Sequence, residues 1–161
     1  MKKLYYLLLV ALPLLFATSC DDDGNDLPNV DFIVDIDNGV YKDGKIYVVA
    51  GETLEVTGVK VINLDQGKGA LLSYVDYSWD YMHVAQSLTA PFGCDIYISP
   101  ETEPGQHVLQ LYAPVYAVDK APAYAVLEYP VVVVSNASEL PTDGNTSFTD
   151  NPKISASDPY K

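Results

Sequence analysis

The chain has 161 residues, and its 22 Asp and Glu face only nine basic residues, none of them arginine, for a net charge of −13. That balance argues against nucleic-acid binding, which needs a basic footprint to displace counterions from phosphates. It argues equally against anionic ligands gripped by guanidinium forks.

The first residues read as a processing signal. Lys2 and Lys3 form a short positive region, and Leu4 to Phe16 is apolar apart from Pro13. This run is too short, and too closely followed by charge, to span a membrane stably, so residues 1–19 are expected to be a cleaved signal peptide. Ala17, Thr18 and Ser19 lead into Cys20, which resembles a lipobox, with Ala17 where leucine is more usual. The resemblance implies that the Cys20 thiol is acylated and becomes the new N-terminus. The alternative is a plain secretory signal with Cys20 as an ordinary thiol. Asp21, Asp22 and Asp23 follow directly, then Gly24, Asn25 and Asp26. The string CDDDGND resembles the acidic export signal of Bacteroidetes-type lipoproteins. It implies an outer-membrane protein, lipid-anchored and facing the cell exterior, with the membrane as its first partner. Such a charge run is also a solvated tether in its own right, and residues 20–29 are read as an acidic linker.

From Val30 to Val134 the pattern is β throughout, with apolar and aromatic runs punctuated by Gly, Pro, Asn and Asp and no sustained helical periodicity. Val30 to Ile36 is the first predicted strand, ended by Asp37-Asn38-Gly39. Asp43-Gly44 between Tyr41 and Tyr47 predicts a tight hairpin. Thr53 to Asn63 is a long strand, with Gly58 a candidate bulge where the alternation changes phase. Leu71 to Asp80 carries the only tryptophan, Trp79. Val84 to Leu88 is a short edge strand, and Cys94 to Ser99 follows. His107 to Val118 and Ala123 to Val134 close the domain. Seven or so strands in about 105 residues fit an all-β, immunoglobulin-like antiparallel sandwich. Residues 135–161 are polar, and a disordered tail is expected there.

GETLEV at 51–56, YSWD at 77–80, PGQHVLQL at 104–111 and the closing YAVLEYPVVVV resemble, in order, the strand signatures of bacterial PKD-like and related Ig-like domains. The resemblance covers most of residues 30–134. It implies that Trp79 points into the core, with Val75 and Tyr77 on its face. Two positions depart from the family pattern. Tyr81-Met82-His83 replaces its glycine-rich continuation, and His107 stands where an aromatic is usual. His107 is read as a corner residue bonding local backbone, as the tyrosine corner does in sandwiches.

No catalytic set is apparent, and the chain is read as a non-enzyme without cofactor or metal. Cys94 sits in an apolar strand, where an inert thiol is the ordinary expectation, and neither His83 nor His107 belongs to a catalytic signature. Asp35-x-Asp37-x-Gly39 resembles the opening of a calcium loop but lacks its closing bidentate acid, since the corresponding position is Ile46. Asp76 and Asp80, four apart on a strand, would be spread by about 13 Å. Glycosidase carboxylates stand roughly 5–9.5 Å apart in a cleft.

The aromatic inventory remains. Of 13 tyrosines, all but Tyr5 and Tyr6 follow the signal. In an Ig-like order the strands bearing Trp79, Leu109 and Leu127 are neighbours. Tyr74, Asp76, Gln110, Tyr112, Tyr116, Tyr124 and Glu128 would then share the outward face, offering flat rings beside carboxylates and amides. Two readings of these tyrosines stand: a face for a glycan or protein ligand, and ordinary cross-strand packing. At the level of function they correspond to a surface binding or accessory module, such as one for glycan capture, and to a structural spacer or assembly subunit that pairs through a sheet edge.

Overall fold

The computed structural model describes residues 27–64 and 69–150. Cys20, Asp21, Asp22 and Asp23, the signal peptide, most of the acidic linker and residues 151–161 lie outside the described residues. Ten strands form: β1 (Val30–Lys42), β2 (Lys45–Val49), β3 (Thr53–Asn63), β4 (Ala70–Leu72), β5 (Val75–Trp79), β6 (Met82–Ser87), β7 (Cys94–Tyr97), β8 (Gly105–Ala117), β9 (Ala123–Val134) and β10 (Asn145–Asp150). One hydrogen-bonded path, β6-β5-β8-β9-β2-β1-β3-β7, folds over itself into two layers, with β4 added to β8 and β10 to β1. The chain is an immunoglobulin-like β-sandwich.

Local chemistry accounts for the individual strands. Asp43 and Gly44, with φ of 51° and 76°, make the two-residue turn that joins β1 to β2. On β3 the bulge falls at Thr57 and Gly58, because Asp35 pairs with Gly58 while Ile36 pairs with Val56. The inward set then switches from Leu54 and Val56 to Val59. On β9 the alternation is regular: Leu127, Tyr129, Val131 and Val133 are buried, and Val126 and Glu128 are exposed. Both layers contribute to one apolar core, with Phe32, Ile36, Leu54 and Val56 opposite Val75, Tyr77, Leu109, Leu111 and Leu127.

Several expectations are corrected. The first strand does not stop at Ile36 but runs on to Lys42, crossing from one layer to the other. That crossing sets β2 beside β9 in parallel, Ile46 opposite Val131 and Val49 opposite Val134, so the sandwich is not wholly antiparallel. The segment expected as one strand from Leu71 to Asp80 is broken at Ser73 and Tyr74 into β4 and β5, both of which pair with β8. Trp79 shares the inward face but sits at its end, half-buried, and the fully enclosed aromatic of β5 is Tyr77. Part of the expected polar tail is a strand: β10 pairs with β1 from Val34 to Asp37 and at Tyr41. It is reached through Gly144, where a side chain would have no room against Val40 and the Tyr41 carbonyl. Lys42 Nζ fastens the approach by an ion pair with Asp143 at 2.6 Å.

Candidate functional site

The adjacent strands β5, β8 and β9 present an outward face whose rows follow from the register. Gln110 lies between Ser78 and Glu128, Tyr112 between Asp76 and Val126, and Pro114 opposite Tyr124. Tyr116 pairs with Leu71 at the far end. The structure brings all seven candidate residues to this one face. Tyr74, in the break before β5, joins it because its phenol feels Tyr124, Asp76, Tyr112 and Tyr116. Tyr112 and Tyr124 are diagonal cross-strand neighbours, with ring centroids 5.0 Å apart and planes tilted by 31°. Both rings are half-buried, whereas Tyr116 is 44% exposed and Val126 in the middle of the face is also open.

The polar groups of the face are organised. Gln110 Nε2 donates to Glu128 Oε1 at 2.6 Å. Asp76 Oδ1 accepts from Gln86 Nε2 at 2.8 Å, with His83 Nε2 at 3.5 Å. Burial, followed by Tyr124 and Asp76, raises the phenol pKa of Tyr112, and burial is also the leading cause for Tyr74. Both hydroxyls therefore stay protonated at neutral pH and can donate hydrogen bonds. The face offers rings, donors, an amide and carboxylates in about 20 Å of strand length.

Other residues singled out from sequence take structural positions. Asp80 does not share the Asp76 face. It lies in the β5–β6 turn, where Oδ2 meets His107 Nδ1 at 2.7 Å and Oδ1 accepts the Val108 N–H at 3.0 Å. His107 Nε2 donates to the Glu103 carbonyl at 2.8 Å, and its ring stacks on Trp79 at 5.3 Å. The local backbone bond fits the corner reading of His107. The Asp80 partner was not anticipated, because the two residues are 27 positions apart. Asp35 lies within β1, where Oδ1 accepts from Thr149 Oγ1 at 2.6 Å and Oδ2 is 3.8 Å from Lys60 Nζ. Burial, and then Asp95, pushes the half-buried Cys94 thiol up, away from the reactive thiolate.

The clamp on His107 predicts a pH effect. Burial opposes the charged imidazole, but the hydrogen bonds to Asp80 and Glu103 outweigh it and raise the pKa above 6.5. Both ring nitrogens face acceptors, so the imidazolium satisfies both contacts. A raised folded-state pKa gives stabilisation that is complete below the unfolded value and is lost as pH rises through the folded one. The stability advantage of the wild type over His107→Gln should therefore shrink in urea unfolding as pH rises above 6.5, the ordinary imidazole value, and through the raised folded-state value. A pH-independent difference would mean that the contact is held by the neutral ring.

A second feature escaped the sequence reading. Between β6 and β7, the two ends of the strand path, lies a groove of about 330 Å³ lined by Trp79, Met82, Val84, Ala85, Ile96 and Ile98, with Asp95 and Thr102 at its margin. Its only local sign was MHVAQS, a strand segment without lysine or acid.

The topology, with a parallel pair between β2 and β9 and with β5, β8 and β9 as neighbours, defines an immunoglobulin-like domain carrying an aromatic sheet face. No protein-family profile and no curated protein matches the chain. Among solved structures it is similar to the fibronectin(III)-like modules of CbhA from Clostridium thermocellum, at 17% identity and a TM-score of 0.41, over 62% of this chain and 97% of that one.

Proposed function

We propose that this chain is a non-enzymatic surface lipoprotein, anchored in the outer membrane through Cys20 and exported by Asp21–Asp23, whose sandwich captures glycans on the β5-β8-β9 face. The observation that carries this reading is the tyrosine cluster. Tyr112 and Tyr124 form a tilted ring pair, and the open Tyr116 and Val126 extend the apolar surface beside Asp76, Gln110 and Glu128. Sugar C–H faces lie on such rings while hydroxyls meet the carboxylates and the amide. The carboxylates make uncharged glycans the favoured class, since acidic sugars would meet like charge.

The test is a glycan array probed with the full chain, followed by titration of the best glycan. Tyr116→Ala should weaken binding about tenfold or more with little change in thermal stability, because Tyr116 is an exposed residue at the end of the face. Tyr112→Ala should lower both affinity and stability, since Tyr124 packs on it. An array without hits, or unchanged affinity in Tyr116→Ala, would return these tyrosines to cross-strand packing.

A further inference from the structure

We propose that the free edge of β6 is a docking site for an extended cationic segment of a partner protein, which adds as a further strand and sets apolar side chains into the groove beneath. This goes beyond glycan capture and uses the strand edge beside that face, the two sharing only Asp76.

Sheet edges attract other chains because their outer N–H and C=O groups are unpaired, and proteins guard them with charge, brevity or a covering segment. Among the described strands, the outer edge of β1 is covered by β10, and β7 has four residues and carries Asp95. β6 has six residues, Met82-His83-Val84-Ala85-Gln86-Ser87, pairs among the described strands only with β5, and contains neither lysine nor acid. It also exposes apolar surface at its edge, with Met82 68% and Val84 48% exposed. The bulge opposite Tyr77 and Ser78 leaves Val84 unpaired, and its side chain lines the groove with Met82 and Trp79. Anchor side chains from an added strand therefore have a floor of Trp79, Ile96 and Ile98 to bury against.

Charge selects the occupant. No lysine or arginine occurs from Gly69 to Asp119, while Asp76, Asp80, Asp95, Glu101 and Glu103 all fall in that stretch. Asp95 borders the groove on one side, and Asp76 sits on the outward face one strand in from β6. Side chains of an added strand alternate between these two sides. An apolar row would enter the groove, and a row of Lys or Arg would meet Asp76 on the outer face. A second copy of this chain is a poor occupant, since it brings the same excess of negative charge.

The probe is an eight-residue peptide alternating valine and lysine, compared with one of the same composition whose lysines precede its valines. Titrated into the full chain, the alternating peptide should bind about tenfold tighter than the block peptide and slow amide exchange along Met82–Ser87. Binding should weaken as salt is raised. Val84→Lys, at an exposed position, should abolish that preference while leaving thermal stability unchanged, and Met82→Lys serves as the second variant should Val84→Lys fold poorly. Tyr116→Ala should leave peptide binding untouched, which separates this surface from the tyrosine face. Equal binding of both peptides, protection centred on β7 or β10, or self-association of the chain through β6 would each overturn the proposal.

Discussion

Tyr77→Ala is expected to cost about 3–5 kcal/mol of folding stability, as for other large aromatic-to-alanine changes in a packed core. Tyr77 is fully enclosed, lies on the inward face of β5 beside Val75, and donates its hydroxyl to the Phe92 carbonyl in the loop before β7. Removing it opens a cavity at the centre of the sandwich and releases the loop that the phenol holds across the two layers. Against a usual total of roughly 5–15 kcal/mol, that loss is about a fifth of the stability or more. Tyr77→Phe separates the two contributions, since it keeps the ring and should lose only about 1–3 kcal/mol by leaving the carbonyl unpaired. Urea unfolding of the wild type and both variants provides the measurement. A cost below about 1 kcal/mol for Tyr77→Ala would show that the core closes over the site or that β5 is misplaced. Trp79→Ala should cost less than Tyr77→Ala, because the indole lines the groove and is only partly buried.

Cys20→Ala is expected to move nearly all of the protein from the membrane fraction to the soluble fraction, or to stall it with its signal uncleaved. No helix among the described residues is long and apolar enough to cross a membrane. In the proposed reading the acyl chains supply almost all the attachment energy, at about 0.8 kcal/mol per buried methylene. The acidic sandwich adds no attraction to an anionic surface. Fractionation of cells expressing wild type and variant, with the electrophoretic shift of the precursor, decides it. Unchanged membrane retention with normal processing would refute lipidation at Cys20. Replacing Asp21, Asp22 and Asp23 by alanine tests export alone: membrane attachment should persist while protease-accessible protein on intact cells falls. Constant accessibility would leave the acidic run a solvated tether.

Sequence by itself determined the β character, most strand positions and the inward and outward sides of the long strands. A strand's side chains alternate with period two, and burial imposes that period directly on the residues, as Leu127 to Val133 and Leu109 to Leu111 show. The hairpin at Asp43-Gly44 and the phase change near Gly58 were legible for a similar reason, since both depend on the conformational preferences of one or two residues. The composition of the tyrosine face followed from alternation together with the neighbour order of the fold class.

Tertiary structure alone decided which edges are covered and what lies between the layers. The parallel β2–β9 pair, the return of β10 onto β1, the clamp of Asp80 on His107 and the groove beneath β6 all join residues far apart in the chain. A local window contains one side of each contact and not the other. β10 is the clearest instance: NTSFTD lacks an apolar run and reads as tail, yet the open edge of β1 supplies the hydrogen-bond partners that its own composition does not demand. Trp79 shows the same physics within a strand. Alternation put it on the inward face, but its depth depended on where the facing layer ends, and at the margin between β6 and β7 that layer leaves part of the indole uncovered.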